Sequence, residues 1–429
     1  MKKQKINIVS LGCSKNLVDS ENLITQIKDN YEITHNSNKK SDIVVINTCG
    51  FIKDAKEESI DTILQFAQLK QSGNIKELFV MGCLSERYKT DLQKEIPEAD
   101  AWFGVNDLQS ILKKLKVQHK TQLIGERQIT TPKHFAYIKI SEGCDRTCSF
   151  CAIPLIRGKH ISIPETEIID QVKFLADQGT KEFILIAQDL TYYGMDIAKK
   201  STFISLIDKI SQIQGVDWLR LHYVYPHNFP LELLDLINER PNICKYLDMP
   251  LQHISNNVLR AMRRAHTQAG TLAILDQIKS KIPDIALRTT LMTGHPGETK
   301  KEFEELKQFV SDYKFDRLGV FTYSEEEDTW GKQNLNDMVP QKVKQDRADE
   351  IMAIQQQISF DLNQAKTGKT FKTLIDRKEG EYYIGRTEFD SPEVDNEVLI
   401  KSENPIKTGE FYNVKITKSV EFDLYGIVE

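Results

Sequence analysis

The first 120 residues alternate short apolar runs with longer amphipathic stretches. The runs KINIVSLG, SDIVVINT and KELFVMG are apolar or β-branched almost throughout, as expected for strands covered on both faces. Between them, stretches such as SENLITQIKDN have the spacing of an amphipathic helix. This alternation predicts an α/β domain over residues 1–120 with a parallel sheet between helices.

The alternation resumes after a polar stretch, TQLIGERQITTPK, which we interpret as a linker over residues 121–133. Candidate strands separated by helical patterns are FAYIKIS, KEFILIAQ, WLRLHYVYP, KYLDMPLQ, IALRTTLMTG and RLGVFTYS. Six strand–helix units in succession predict a partial (βα)6 barrel over residues 134–364. In such folds the functional groups lie at the carboxyl ends of the strands.

The pattern of apolar and polar residues changes after Gly368. Short alternating strands, broken by Gly, Asn, Asp and Pro, follow one another to the last residue. They predict a small antiparallel β-barrel over residues 365–429.

Composition narrows the setting of the protein. The 429 residues carry a net charge of −5, so the composition does not indicate a general affinity for nucleic acid phosphates. No apolar run approaches the length of a membrane span, and the amino terminus reads as a first strand and not as a signal peptide. We therefore expect a cytoplasmic protein with reduced thiols, in which clustered cysteines bind metal or take part in catalysis.

Three cysteines in SEGCDRTCSFCAIP follow the first predicted barrel strand. Cys144, Cys148 and Cys151 have C-x3-C-x2-C spacing, and no second Cys or His pair completes a zinc site. Three thiolates can hold three irons of a 4Fe-4S cluster and leave the fourth iron open to a substrate. This spacing is a signature of radical S-adenosylmethionine (SAM) enzymes. Three buried structural cysteines in one loop are the weaker alternative, since such cysteines are usually scattered.

A second triad is predicted by the fold and not by spacing. Cys13, Cys49 and Cys83 each follow one of the three strands predicted in the first domain. The carboxyl ends of parallel strands share one edge, so these thiols should meet there, again one short of four. The alternative is that each is a small apolar plug at a strand end. Cys244 belongs to neither group of cysteines and is predicted to be a core residue.

These features together resemble the methylthiotransferase family of radical SAM enzymes over essentially the whole chain. The resemblance implies a flavodoxin-like domain, a radical SAM barrel and a carboxyl-terminal TRAM barrel, in the order already predicted. It also implies two 4Fe-4S clusters, one bound by Cys13, Cys49 and Cys83 and the other by Cys144, Cys148 and Cys151.

The motifs SLGCSKNLVDSE, YLDMPLQHIS, LGVFTYSEEEDT and GRTEFDSPEVDNEV are similar to the RimO-type branch of that family. This branch methylthiolates the β-carbon of an aspartate in ribosomal protein S-twelve of the small subunit. Ten basic and thirteen acidic residues over 365–429 agree with a basic protein partner, so contact with RNA is expected only through the ribosome. The alternatives are a tRNA adenosine methylthiotransferase and a two-cluster electron carrier or scaffold.

The resemblance also implies a mechanism and partners. Reductive cleavage of SAM would give a radical that activates an unreactive carbon, and the other cluster would present sulfur. A sulfur donor and a flavodoxin- or ferredoxin-type electron donor are therefore expected. Candidate SAM-binding residues at the predicted barrel strands are Gln188, Asp189, Gln252, Arg288, Gly294 and Gly297. Arg157, after the cysteine loop, is predicted either to position the cofactor or to turn the chain.

Overall fold

The computed structural model describes residues 3–123 and 125–429, which form two compact units. The first contains the described residues up to Thr131, with Tyr137–Arg146 and Ala152–Gln178. The second contains Pro132–Ala136, Thr147–Cys151 and Gly179–Glu429. Ile124, within the predicted linker, lies outside the described residues. The domain limits expected from the sequence stay predictions. No helix of the described chain is long and apolar enough to cross a bilayer.

The first unit is built on a parallel sheet of five strands in its described residues. The strands are β1 Lys5–Ser10, β2 Glu32–His35, β3 Ile43–Thr48, β4 Glu77–Gly82 and β5 Ala101–Trp102. Their order, β2-β1-β3-β4-β5, is that of flavodoxin-like folds and confirms the expected class. The pattern missed β2 because EITH is polar and half-exposed, and β5 because it has two residues.

Helices cover both faces of this sheet. They are α1 Ser14–Ile27, α2 Lys53–Gln71, α3 Cys83–Glu95 and α4 Leu108–Lys114, with a short 3-10 turn at Thr121–Leu123. Val45 packs in the core on one face, whereas its neighbours Val44 and Ile46 pack in the core on the other. Side chains alternate along a strand, so residues 43–46 of β3 are all apolar because both faces of the strand are buried.

The second sheet has the six strands expected from the sequence. They are β6 Phe135–Lys139, β9 Glu182–Ile186, β10 Trp218–Leu221, β11 Ile243–Asp248, β12 Ala286–Thr293 and β13 Arg317–Thr322. The described strands form an open sheet in the order β13-β12-β11-β10-β9-β6, with parallel neighbours from β9 to β13. A small antiparallel pair, β7 Ser141–Glu142 and β8 Ile161–Ser162, flanks the cysteine loop.

Helices alternate with these strands and continue beyond the last of them. In chain order they are α5 Ile153–Arg157, α6 Glu165–Asp177, α7 Met195–Ala198, α8 Phe203–Ser211, α9 Glu232–Glu239, α10 Asn256–Ala261, α11 Gln268–Lys281, α12 Lys300–Tyr313, α13 Trp330–Asn334 and α14 Gln341–Gln364, with a 3-10 turn at Leu190–Tyr192.

The carboxyl-terminal residues form a closed barrel. Its strands are β14 Thr370–Glu379, β15 Tyr382–Thr387, β16 Glu397–Lys401, β17 Phe411–Ser419 and β18 Asp423–Val428. The order is β14-β15-β16-β18-β17, and β16 pairs with β18 in parallel. The sequence predicted an antiparallel barrel, and this prediction is wrong for the pair β16 and β18, which is parallel. The hairpin β17–β18 returns β18 beside β16, and alternating polar and apolar residues do not reveal the direction of that pairing.

Buried charges join this barrel to the sheet of the second unit. Arg386 bonds Glu182 at 2.7 Å and Asp376 at 2.6 Å, and Arg220 bonds the other oxygen of Glu182 at 2.7 Å. His134 Nε2 lies 2.8 Å from Asp376. All these side chains are at least nine-tenths buried, so the contact between barrel and sheet is a fully paired polar core.

This contact changes the interpretation of the acidic barrel. The side chains of Asp376, Asp390 and Asp395 point inward and pair with arginines, and Arg386 is buried with them. When these four residues are set aside, ten acidic and nine basic residues remain within residues 365–429. The excess of acidic residues is then one and not three. Most of the excess acidic charge that was expected to attract a basic partner is therefore buried and paired inside the protein.

Candidate functional site

Three cysteines of the first unit follow neighbouring strands. Cys13 directly precedes α1, Cys49 directly follows β3, and Cys83 directly follows β4 as the first residue of α3. Because β1, β3 and β4 are adjacent and parallel, the three positions share the carboxyl edge of the sheet. The structure thus brings together residues that the sequence separates by more than thirty positions.

Gly12 holds the Cys13 loop against Cys49. Its φ is +83°, in the region that favours glycine. A Cβ added at Gly12 would lie 2.6 Å from the Cβ and 2.9 Å from the Sγ of Cys49. The close approach of the two loops therefore requires a residue without a side chain at this position.

The electrostatics of these thiols suit a cationic cofactor. Burial raises the pKa of Cys83 to about 12 and also raises the pKa of Cys49, and the Cys13 thiol adds to both effects. The guanidinium of Arg157 acts in the opposite direction on the pKa of both thiols. Neighbouring buried thiols need positive charge to bind as thiolates, which an iron–sulfur cluster provides.

A 4Fe-4S cluster and a single metal ion make different demands on these three thiols. Among the residues that the structure describes, no three Cys, His, Asp or Glu side chains are grouped to bind one metal ion. A 4Fe-4S cube makes a different demand, because each thiolate binds a separate iron. The positions of Cys13, Cys49 and Cys83 along one sheet edge are compatible with that demand.

Asn16 connects the loops of this site. Its side-chain amide donates to the carbonyl oxygens of Leu11 and Thr48, at 3.0 Å each. Its Oδ1 lies 3.5 Å from the Sγ of Cys83, within reach of a thiol donor. Asn16 had no assigned role in the sequence, although a polar residue one turn after Cys13 on an otherwise buried helix face was the available signal.

Arg157 reaches the same residues from the segment after the cysteine loop. Its guanidinium donates to Asn16 Oδ1 at 2.6 Å and pairs with Asp19 at 3.2 Å and Glu142 at 2.8 Å. Lys139 pairs with the same two carboxylates. Burial alone would raise the pKa of Glu142, but Lys139 and Arg157 outweigh it and hold that pKa at about 2. Arg157 is thus fixed beside the first triad and does more than turn the chain.

The other triad lies on the loop after β7. In the first unit, the amide of Cys144 donates to Gly158 at 3.1 Å, and its Sγ accepts from the amide of Arg146 at 3.4 Å. In the second unit, the amide of Cys151 donates to Cys148 at 3.2 Å. All three thiols are partly exposed.

Ser149, between two of these cysteines, is held from three sides. Its amide donates to Met262 at 2.9 Å, its carbonyl accepts from Gly331 at 2.7 Å, and its hydroxyl lies 3.1 Å from His295 Nε2. Burial lowers the pKa of His295 to about 4, so this imidazole is neutral near pH 7. Arg264 Nη1 lies 3.8 Å from Cys148 Sγ, a cation that the sequence did not single out.

Five of the six expected SAM-binding residues lie beyond the carboxyl ends of strands, and Arg288 does not. Gln188 and Asp189 follow β9, Gln252 follows β11, and Gly294 and Gly297 follow β12, all beyond carboxyl ends of strands. Asp189 accepts from the amide and hydroxyl of Thr191 at 3.0 and 2.6 Å. A Cβ at Gly294 would lie 2.1 Å from the Lys344 side chain, and its φ of +74° also favours glycine, so packing and backbone conformation explain this residue.

Arg288 is placed differently. It is the third residue of β12, near the amino end of that strand. Its guanidinium pairs with Asp248 at 3.2 Å and with Asp395 at 3.3 Å. A role in binding the SAM carboxylate stays a prediction for Arg288, and these two carboxylates would compete for it.

Solved structures of radical SAM enzymes share this fold. The tryptophan-bound radical SAM methyltransferase TsrM from Kitasatospora setae matches with a TM-score of 0.56 at 12% identity, over 74% of this chain and 73% of that one. The cobalamin-dependent SAM radical enzyme OxsB matches with a TM-score of 0.52 at 12% identity, over 82% and 56%. These matches concern the fold alone.

Family descriptions match all three regions. Residues 5–104 match Uncharacterized protein family UPF0004, residues 138–310 the Radical SAM superfamily, and residues 367–428 the TRAM domain. Fold and cysteine loop together define a radical SAM enzyme. The curated ribosomal protein uS12 methylthiotransferases RimO of Cytophaga hutchinsonii and Bacteroides fragilis are 55% and 56% identical to this chain, over 99% of it and 98% and 99% of their own lengths. The chain belongs to the RimO family of methylthiotransferases, which use SAM and two 4Fe-4S clusters.

Proposed function

We propose that this enzyme adds a methylthio group to the β-carbon of an aspartate in ribosomal protein uS12. The observation that carries the proposal is the full-length match to relatives that bear this name, in a chain that keeps both cysteine triads. Cys13, Cys49 and Cys83 follow strands of a parallel sheet at the edge where such folds bind ligands, and Cys144, Cys148 and Cys151 lie on the loop after β7.

The two triads have separate roles in this proposal. Cys144, Cys148 and Cys151 would bind the cluster that accepts SAM, and Cys13, Cys49 and Cys83 would bind the cluster that presents sulfur. When bound, these groups supply one-electron chemistry, sulfur and a methyl group.

The side chains of the protein bind, orient and shield these groups. Asn16 and Arg157 hold the loops of the first triad together. Arg264 donates toward a sulfur of the second. The residues beyond the strand ends, Gln188, Asp189, Gln252, Gly294 and Gly297, would line the SAM site.

The alternatives from the sequence are not favoured. A tRNA adenosine methylthiotransferase would not explain why the full-length relatives carry the uS12 name. A mere electron carrier or scaffold does not agree with membership of an enzyme family. The net acidity of the barrel no longer supports a protein substrate, since most of the excess charge is buried. A sulfur donor and a flavodoxin- or ferredoxin-type reductant complete the proposed reaction.

Mass spectrometry of cells with and without the gene tests the proposal. Ribosomal protein uS12 and hydrolysed tRNA nucleosides are compared between the same cultures. We expect a methylthio increment on one aspartate of uS12 that disappears with the gene and returns on complementation. Loss of a methylthiolated adenosine, with uS12 unchanged, would contradict the proposed substrate and leave the assignment as a methylthiotransferase intact.

A further inference from the structure

The edge of the second sheet offers a free strand. In the described residues β13 pairs with β12 and with no other strand. The amide of Tyr323 bonds the carbonyl of Thr293 in β12. Peptide groups alternate in direction along a strand, so those of Leu318, Val320 and Thr322 point away from β12. This edge can therefore accept another extended chain.

This edge lacks the usual protection. Natural edge strands carry a lysine, a proline or a bulge that discourages pairing, whereas residues 318–322 read LGVFT. The register with β12 is unbroken over the whole strand. Phe321 is 51% exposed and its neighbours on the strand are half-exposed. An accessible apolar edge of this kind is a liability in a soluble chain unless a partner uses it.

A cavity of about 310 Å³ opens at the beginning of the same strand. Leu318 and Gly319 line it, with Val394 and Phe422 as exposed apolar residues. Asn396 also lines it, is 5% exposed, and its Nδ2 has no hydrogen-bond partner among the described residues. A buried amide without a partner costs free energy, which a ligand that offers an acceptor would recover.

Two carboxylates of this cavity lie near cations without forming an ion pair, since Arg317 acts to lower the pKa of both, and Lys366 and Lys279 act to lower that of Asp316. Asp316 accepts the amide of Leu287 at 3.0 Å, and Asp423 accepts that of Glu397 at 3.3 Å, but neither has an ion-pair partner in the described chain. The arginines of the cavity are already paired, Arg288 with Asp395 and Arg317 with Asp390. Burial raises the pKa of both Asp316 and Asp423, so a bound cation would stabilise their charged forms.

We propose that an extended basic segment of the polypeptide substrate pairs with the free edge of β13 and places a lysine or arginine in this cavity. The proposal rests on the proposed function, which makes the substrate a ribosomal protein, a class that is typically basic. Backbone bonds along β13 would supply affinity, and Asp316 and Asp423 would select the charge. Val394 and Phe422 would cover the aliphatic stem of that side chain.

The length of β13 sets a spacing for the substrate. The strand runs from the cavity at Arg317 to Thr322, toward the carboxyl edge of the sheet. Five steps at about 3.3 Å per residue span roughly 16 Å. The basic residue of the substrate should therefore lie about five positions from the residues nearest the modified aspartate.

Binding of labelled uS12 to the full-length holoenzyme tests the proposal. Asp423→Asn removes a cavity charge, and Glu403→Gln is its control because it removes an exposed charge of the same barrel outside the cavity. Val320→Pro removes an outward amide, and Val320→Ala keeps it. We expect the dissociation constant for uS12 to rise about tenfold in Asp423→Asn and in Val320→Pro and to stay unchanged in the two controls.

A double-mutant cycle identifies the substrate residue. Each Lys or Arg of uS12 near the modified aspartate is replaced by Ala and combined with Asp423→Asn. One replacement should lose its effect in that variant, as a direct pair would. This cycle decides the matter even where Val320→Pro fails to fold.

Dissociation constants that match those of the controls, or no coupling with any substrate residue, would overturn the docking surface. Wild-type enzyme that still modified uS12 would then leave the proposed function standing. Wild-type enzyme that modified tRNA and ignored uS12 would overturn both.

Discussion

Arg157 donates a 2.6 Å hydrogen bond to the side chain of Asn16. Arg157 lies six positions beyond Cys151, and Asn16 lies three positions beyond Cys13. The segment that follows one cysteine motif is thus bonded beside the other triad within the first unit. Because Asn16 also contacts Cys83, this pair links a buried ion network to a proposed cluster ligand.

Arg157→Gln should destabilise the first unit and loosen its cluster. The change leaves Asp19 and Glu142 with Lys139 as their remaining cation in the described network, and breaking a buried pair of this kind costs about 3–5 kcal/mol. Chemical denaturation measures the free energy of unfolding, and Mössbauer spectra report the iron held by each triad. Lys53→Gln is the control, since its pair with Glu57 is exposed and should cost under about 0.5 kcal/mol.

The stability difference between wild type and Arg157→Gln should depend on pH. The pKa of Glu142 is lowered from its usual 4.5 to about 2 in the folded protein. A depressed carboxyl contributes stability above its unfolded pKa and loses it as pH falls through the folded value. The difference should therefore shrink between pH 4.5 and 2, and a constant difference would contradict the role given to Glu142.

Gly12→Ala should prevent binding of the first cluster and spare the second. The new Cβ would lie 2.6 Å from the Cβ of Cys49, and the left-handed backbone would be strained as well. Iron content and electron paramagnetic resonance measure the loss. Gly73→Ala separates the two causes, because Gly73 has φ +74° and nothing within 4 Å of the added Cβ. Equal iron loss in both variants would show that the contact with Cys49 is unimportant.

Cys49→Ala should spare cleavage of SAM and stop insertion of sulfur. Cys49 belongs to the proposed sulfur-presenting triad and not to the loop that would bind SAM. Formation of 5′-deoxyadenosine under dithionite measures the first activity, and the mass of uS12 measures the second. Methylthiolated product at the full rate would refute the second cluster.

Cys148→Ala should abolish SAM cleavage altogether. The proposed SAM cluster has three thiolate ligands, and loss of one leaves too few to hold the iron. Cys244→Ala provides the comparison, because that thiol is fully buried in the core next to Arg220. The Cys244 variant should keep its iron and its cleavage activity. Cleavage by Cys148→Ala at the wild-type rate would exclude this triad as the SAM site.

Arg386→Met should destabilise the second unit. It removes a buried cation from Asp376 and Glu182 and leaves them His134 and Arg220 as partners, and breaking a buried pair costs about 3–5 kcal/mol. Arg377→Met, at an exposed pair with Glu397, should cost under about 1 kcal/mol. Burial opposes the ionisation of Asp376, but Arg386 and His134 lower its pKa from 3.8 to about 2, so its contribution disappears as pH falls through that range. Denaturation midpoints measured across this range test both statements.

Many of the elements could be predicted because their signals are local. The buried strands of both parallel sheets are apolar over consecutive residues, and the Cys144 triad occupies eight positions of one loop. The meeting of Cys13, Cys49 and Cys83 could also be predicted, since parallel topology brings strand ends together. The strand β2 was missed because half-exposed polar residues give no clear period.

The sequence by itself determined the fold class and the domain order, because strand periodicity is written in neighbouring residues. Close spacing predicted the Cys144, Cys148 and Cys151 triad, whereas the Cys13, Cys49 and Cys83 triad was predicted only through the expected parallel topology. Only the tertiary structure decided which charged side chains form buried ion pairs. Asp395 looked like part of an acidic surface, yet it pairs with Arg288 at 3.3 Å across the contact of barrel and sheet. Arg157 and Asn16 are likewise 141 residues apart in the chain. A charge carries no local mark of its partner, since an ion pair depends on distance in space and on burial, and both arise only when the chain is folded.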